Sequence, residues 1–435
     1  IMNITSKVNN LDGLKRSLSV TVDKDEYINA FNKGLGKYKT SAKIDGFRAG
    51  KVPENIIIKN YKDRIHGDAM NLLIENSLTE SLVENKLDTA SPPKLSITQA
   101  GSFENDLVFT AEFEIYPLFS VKKIEDIEIE QPDVETNDSD ISEVIKNIQK
   151  QHIKWEEKKN KSKAGDKIVL DYEGLIAGAA FENNKQDSFT FIIGDKINGD
   201  PATTGLFKAF YDNTTDEVVG SEKSFQYKMP SDFSDKNIAG KTIDYKIKIK
   251  QIYEGVLPEL NEEFYKKFGV ENSDHEIFKD NVSKYMKVEL DQKMKSIKSA
   301  AINQILIDQN DFELPEHMLN TETQNISSQY EGMKQKIDDK IKLELDLIAR
   351  KRVKLNLIYM KLTEVHKLVI SEKDVYEFIS KSDPATQEQL IQKTKEDKNY
   401  LNHIKNKLLE DAIIDLIASK CRINKIKKKF LEVVN

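Results

Sequence analysis

Apolar residues recur with a helical period in two adjacent stretches near the start of the chain. Tyr27, Ala30, Phe31, Leu35 and Tyr38 form one stripe within residues 24–43, and Ile57, Tyr61, Ile65, Ala69 and Leu73 recur every fourth residue further on. Strand-like alternation flanks this helical pair: Leu18, Val20 and Val22 on one side, Leu107, Phe109, Ala111, Phe113 and Ile115 on the other. With Pro92-Pro93 and Pro117 as punctuation, residues 3 to 118 read as an α+β unit. A short strand and then a helix starting near Ser139 are expected over 124–145. Ile243, Tyr245, Ile247 and Ile249 alternate strictly with Asp244, Lys246, Lys248 and Lys250, which predicts a strand. From residue 259 onward the only glycines and prolines are Gly269, Gly332, Pro315 and Pro384, so long helices are expected. Ile404, Leu408, Ala412 and Leu416, with Ile413 and Ile417, make one amphipathic face there. The run IKLELDLI at 341–348 has period two, but the lack of breakers over 333–383 favours helix. Leucines so spaced on a helix must pack on two sides or leave apolar surface open.

Composition changes this picture in three places. At 435 residues, with 38% hydrophobic and 32% charged residues, the chain suits about three domains in an elongated, surface-rich arrangement. The net charge is −7, yet residues 33–64 hold nine Lys or Arg against three Asp or Glu, a local excess of +6. Such a basic patch on an acidic protein points to a phosphate-rich target. Residues 124–145 carry nine acids and no base, and 146–163 turn basic around Trp155, so this stretch reads as a linker with a helical piece. Nine of the 18 glycines fall between Gly165 and Gly255, which marks a separate glycine-rich unit.

Much chemistry is excluded. Cys421 is the single cysteine, and the six histidines are scattered with none at i,i+4 spacing, so neither a disulfide framework nor a zinc site is expected. No run approaches the ~18 apolar residues of a membrane span, and the N-terminal stretch ITSKVNNLDGLKRS has no apolar signal region. A cytoplasmic protein without cofactor, metal or membrane partner is expected.

Between the two helical stripes lies Gly46-Phe47-Arg48-Ala49-Gly50-Lys51-Val52-Pro53. Gly46 and Gly50 tolerate positive φ and allow a tight reversal, and Pro53-Glu54 suits the start of the next helix. The result is a short tip presenting Phe47 and Arg48, a residue pair typical of binding hot spots; an ordinary core Phe beside a solvated Arg is the plainer alternative. A phosphate-cradling P-loop does not fit, because three residues separate the glycines and Val52 follows Lys51. The run Gly-Phe-Arg-x-Gly-Lys-x-Pro resembles the signature of the trigger factor family, bacterial chaperones that dock on the ribosome. The resemblance implies that Gly46, Phe47, Arg48, Ala49, Gly50 and Lys51 contact a large-subunit protein beside the exit tunnel. Ala49 departs from the basic residue common at that position. It further implies nascent and unfolded polypeptides as partners, no nucleotide, and leaves open a homodimer off the ribosome.

Asp171-Tyr172-Glu173-Gly174, Ala180-Phe181-Glu182 and Ser188-Phe189-Thr190-Phe191-Ile192-Ile193-Gly194 are similar to the early strands of FKBP-type prolyl isomerases. That likeness implies an aromatic cup of Tyr172, Phe181, Phe189, Phe233 and Tyr245, with Glu182 as its polar residue. Aromatics alternating on strands are also what an ordinary core shows. The Ile-Pro-Gly-aromatic entrance to the helix flooring the cup is replaced by residues 198–208, NGDPATTGLFK, which leaves the floor to Phe207 or to no aromatic at all. The expected architecture is multidomain α+β. Residues 1–118 form an α+β ribosome-binding domain, 119–150 an arm returning to the C-terminal body, 151–255 a β-rich FKBP-like isomerase domain, and 256–435 an all-α chaperone body. The reading is an ATP-independent ribosome-associated chaperone with an attached, weakened prolyl isomerase. The alternative is a soluble FKBP-type isomerase whose helices only recruit substrate.

Overall fold

The computed structural model describes residues 2–45, 47–48, 50–197, 199–270, 274–332 and 338–434. Two compact units emerge: residues 1–131 with 295–426, and residues 132–294 with 427–435.

In the first unit, strands β1 (Ile4–Asn10) and β2 (Lys15–Val22) lead into helices α1 (Lys24–Ser41) and α2 (Glu54–Glu84), followed by β3 (Lys94–Gln99) and β4 (Leu107–Glu114). Asp23 caps α1 by accepting from the Asp25 N–H, and Pro53 occupies the cap position of α2 with Glu54 in its first turn. The strands form an antiparallel sheet in the order β1-β2-β4-β3. Val20 stands opposite Phe109 and Leu18 opposite Ala111, so the alternation read from sequence lines one face. That face is buried with Tyr27, Phe31 and Leu35 of α1 and Ile57, Ile65, Met70 and Leu73 of α2. After β4 a single 3₁₀ turn (Ile124–Asp126) precedes β5 (Glu128–Asp133).

The second unit opens with α3 (Asp138–Gln151), whose capping box pairs Asn137 with Asp140. A five-stranded sheet follows, from β6 (Lys154–Glu157), β7 (Lys167–Leu175), β8 (Lys185–Ile192), β9 (Glu222–Lys228) and β10 (Thr242–Val256), with α4 (Pro201–Thr214) between β8 and β9. Residues 154–157 are thus an edge strand of this sheet, where a linker was expected. Trp155 lies opposite Gly255; a Cβ there would come within 3.2 Å of the indole, so the glycine admits the ring. The Lys167 ammonium sits 4.7 Å from the Trp155 ring and 4.7 Å from the Tyr253 ring, which holds the edge in place. Next come α5 (Glu262–Lys266) and α6 (His275–Gln309). The N-terminal part of α6 packs with α3 and α5 through Ile141, Ile145, Phe264, Phe278 and Met286.

The remaining elements are α7 (Glu316–Gly332), α8 (Asp339–His366), α9 (Glu372–Ser380), α10 (Pro384–Glu396), α11 (Lys398–Lys420), β11 (Arg422–Lys427) and α12 (Phe430–Val434). The helical body of the first unit is built on Ile302 and Leu306 of α6, Ile358 and Leu362 of α8, and Ile413, Ile414 and Ile417 of α11. Against these pack Ile124, Ile127 and Ile129 from the segment after β4. Ile404 of the predicted amphipathic face turns instead to α9, packing with Val375 and Ile379. Strand β11 pairs with β5 within an otherwise helical stretch. No helix among the described residues is long and apolar enough to cross a membrane, and no cluster of metal-ligating side chains occurs among them.

Candidate functional site

The loop between α1 and α2 is buried at both ends, and its described tip residues are exposed. Ala42 and Val52 are buried, whereas Phe47 is 40% exposed and Arg48, Gly50 and Lys51 are exposed. Two short backbone bonds shape it: Phe47 N–H donates to Ile44 O (3.1 Å) and Lys51 N–H to Arg48 O (3.0 Å). Gly50 has φ +77°, a conformation that glycine adopts without strain. Beneath it the struts are tied by the Tyr38–Tyr61 ring pair, 5.2 Å apart, and by a Lys39–Glu54 ion pair. The structure therefore places Phe47, Arg48, Gly50 and Lys51 together on an exposed turn. Gly46 and Ala49 lie outside the described residues.

In the second unit, Tyr172 of β7, Phe189 of β8 and Tyr245 of β10 converge on the sheet face that α4 covers. Tyr172 stands 5.3 Å from Phe189 and 5.9 Å from Tyr245, centroid to centroid. Phe181 and Phe233 are half-buried and pack against the same core, and Glu182 is exposed. The floor differs from the sequence expectation. Residues 201–214 are a continuous helix, capped by Asp200 accepting from the Thr203 N–H with Pro201 in the first turn. This helix carries Phe207, 5.8 Å from Phe189, and also Phe210, which is 2% exposed. Phe210 touches Tyr172 (5.5 Å), Phe189 (5.5 Å), Phe225 (5.3 Å) and Tyr245 (5.6 Å). An aromatic does lie beneath the cup, then, and two residues of it, Phe210 and Phe225, were missed. The Asp-Pro start with Phe207, Phe210 and Tyr211 at helical spacing is the signal that could have found α4.

Close packing holds α4 to the sheet. Tyr227 donates its hydroxyl to Ala202 O (2.9 Å), and a Cβ on Gly205 would stand 2.4 Å from that oxygen. Burial pushes the Tyr245 phenol up to about 12 and also raises that of Tyr172, so both stay neutral near pH 7. Asp171 is held below the usual carboxylate range, chiefly by its bond with Lys250 and then by the Ser188 N–H.

The chain is similar to known proteins over nearly its whole length. Trigger factor from Psychromonas ingrahamii is 28% identical over 436 residues, and that from Pseudoalteromonas atlantica is 29% identical over 441, each match covering 98% of both chains. A solved trigger factor chaperone structure, concerned with promiscuous substrate recognition in folding and assembly, covers 95% of this chain and 99% of its own. Its identity is 16% and its TM-score 0.46. The family model for the bacterial trigger factor protein matches residues 2–148, and that for its C-terminus matches residues 276–419, together about two thirds of the chain. The chain belongs to the trigger factor family.

Trigger factors are ribosome-associated chaperones that bind nascent polypeptides, and the N-terminal domain matched here is their ribosome-binding part. The family also carries a peptidyl-prolyl isomerase domain, and the aromatic cup falls between the two model matches but inside the full-length alignments. In the helical body, residues 341–348 are helical, within α8. Leu345 is buried against Ile326 and Ala349, while Leu343, Leu347 and Ile348 remain exposed. Both faces of the period-two run are thereby accounted for: one packs and the other stays open. A groove of about 960 Å³ runs between α8 and α11, with Leu355, Tyr359, Met360 and Leu409 among its walls.

Proposed function

We propose that this trigger factor docks beside the exit tunnel through Phe47, Arg48 and Lys51, with Gly46, Ala49 and Gly50 shaping the tip, and holds nascent chains in the cytoplasm without nucleotide. Residues 1–118 supply the docking domain, 119–150 the connecting arm, 151–255 an FKBP-type isomerase of low activity, and 256–435 the holding body. The observation that carries the docking assignment is the exposed Phe47–Arg48 pair on an anchored turn within a segment of net charge +6. The isomerase assignment is supported by the cup of Tyr172, Phe181, Glu182, Phe189, Phe233 and Tyr245. Its low activity is supported by the burial of Phe210 and Tyr245 beneath neighbouring rings.

Ribosome co-sedimentation of the Phe47→Ala/Arg48→Ala double variant tests the docking role. Both side chains are exposed, so the fold is expected to survive and binding to fall about tenfold or more, as for a truncated hot spot. Binding of the unmodified chain is expected to weaken with salt, because exposed charges are screened over ~8 Å at physiological ionic strength. Unchanged co-sedimentation of the double variant rejects the tip as the docking element.

A further inference from the structure

Past α11 the chain turns basic. Residues 420–429, KCRINKIKKK, carry six Lys or Arg and no acid, and residues 124–133, IEDIEIEQPD, carry five acids and no base. These two segments meet, because β11 pairs with β5 and, among the described residues, with no other strand. The Arg422 N–H donates to Ile127 O (2.9 Å) and the Lys428 N–H to Asp133 O (3.1 Å), so the strands run parallel, the weaker arrangement per residue. Charge fastens them further. Lys420 pairs with Glu125 at 3.7 Å, and the Asn424 amide donates to Glu128 at 2.5 Å. Every residue from 422 to 429 is exposed, Ile423 and Ile426 included. A two-stranded pair in which one strand buries no side chain is marginal by itself.

The segment ends in an apolar anchor. Phe430 of α12 is 2% exposed and sits in the cluster of Ile141 and Ile145 of α3 with Phe278 and Met286 of α6. Helix α12 does not fill the space beside it. A cleft of about 480 Å³ stays open between α3, α6 and α12, walled by Val144, Ile148, Val282 and Leu431 and edged by Asn147 and Asn281. Tyr285 and Val288 of α6 are also exposed. Apolar walls with amide side chains at the edge suit an extended polypeptide, whose side chains meet the walls while its backbone finds donors and acceptors.

We infer that residues 420–434 are a releasable strap: they keep this cleft part-closed, and phosphate-rich RNA draws them off β5, which opens the cleft to unfolded polypeptide. Arg422, Lys425, Lys427, Lys428 and Lys429 all reach solvent within eight residues. A single RNA strand offers a phosphate at every nucleotide and gains from counterion release, so it competes with the fixed carboxylates of β5 for these cations. RNA is also the phosphate-rich surface that a ribosome-associated chaperone meets. Phe430 and Val433 are the strap's only buried side chains among the described residues. Once β11 lifts, a helix of five residues has little to keep it folded in place. Cover and affinity are thereby coupled: a strap closed about nine-tenths of the time lowers apparent affinity about tenfold, and its release restores it.

The test uses the full chain and a short single-stranded oligouridylate. With RNA, hydrogen exchange is expected to speed up at residues 423–427 and in α12 while β1–β4 keep their protection. Binding of a labelled, permanently unfolded polypeptide, read by fluorescence anisotropy, is expected to tighten about tenfold. Phe430→Ser is expected to give the same tightening without RNA. Lys427→Glu/Lys428→Glu/Lys429→Glu alters exposed side chains only, and serves if the serine disturbs folding. This triple variant is expected to free the strap unaided and to abolish the response to RNA. The docking tip is read separately, because Phe47→Ala/Arg48→Ala leaves the strap intact and is expected to keep the full response. RNA that binds without changing exchange at β11 and α12 overturns the proposal. So does a response that survives the triple variant, or a released α12 with unchanged affinity for the polypeptide. Phosphatidylglycerol vesicles that release the strap where RNA does not would make the partner a membrane and the RNA assignment wrong.

Discussion

Phe210 decides what the aromatic cup can do. Its ring is covered by Tyr172, Phe189, Phe191, Phe225 and Tyr245, so it works as core. Phe210→Ala is expected to cost about 3–5 kcal/mol in denaturant unfolding of residues 151–255, the range for truncating a buried Phe. Phe207→Ala, at a half-buried ring, should cost less. The same burial limits catalysis. Prolyl isomerisation must lower a barrier of ~18–20 kcal/mol by apolar enclosure of a twisted amide. A proline cannot reach Phe210 or Tyr245 without displacing their neighbours, which leaves mainly the half-buried Tyr172, Phe181, Phe189 and Phe233. A few kcal/mol of missing transition-state contact slows a reaction by roughly two to three orders of magnitude. Isolated residues 151–255 are expected to isomerise a proline peptide that much more slowly than an intact FKBP-type domain, by exchange NMR or a protease-coupled assay. A comparable rate would show that the half-buried rings suffice.

Helix α7 has a start that no neighbouring residue supplies. Its cap is the buried carboxylate of Glu114, at the end of β4, 202 residues from Glu316. The two oxygens accept from the N–H groups of Glu316 (2.9 Å) and His317 (2.8 Å). Lys15 pairs with Glu316 at 2.8 Å, and Gly13, at φ +58°, leaves the space that the Glu313 carboxylate fills. Glu114→Ala is expected to remove a cap worth about 0.5–2 kcal/mol. Hydrogen exchange should then rise at Glu316–Met318 while the sheet of β1–β4 keeps its protection. Protection unchanged at those amides would mean that the apolar cluster of Leu314, Leu319 and Val353 holds α7 without the cap. Helix α8 is the opposite case, with Asp338 as a local cap accepting from the Ile341 N–H.

For the molecule as a whole, holding should need no chemistry from the middle sheet. Apolar contacts are worth ~25 cal/mol per Å², so a few hundred Å² of open leucine and groove surface binds an unfolded chain without a sequence code. Leu343, Leu347 and the groove between α8 and α11 offer such surface. A chain lacking residues 151–255 is therefore expected to keep most of its suppression of aggregation in a light-scattering refolding assay without ATP. Loss of all suppression while that chain stays folded would move the holding surface to the deleted residues.

What the sequence determined by itself was chemistry written in neighbouring residues. The stripes of α1 and α2, the strict alternation of β10 and the turn glycine at Gly50 each depend on spacing over a few positions, and they came out as read. So did the trigger factor membership, which eight consecutive residues from Gly46 to Pro53 had indicated. The tertiary structure alone decided which faces are covered. Nothing in Lys154–Glu157 says that it joins β10, because an edge strand of four polar and aromatic residues has no period to detect. Nothing near Glu316 says that Glu114 caps it. Leu95 and Ile97 alternate with polar residues as core positions do, yet both are exposed in the folded sheet. Whether Phe210 lines a cup or fills it depends on five rings from four strands, a packing outcome that spacing along the chain does not encode.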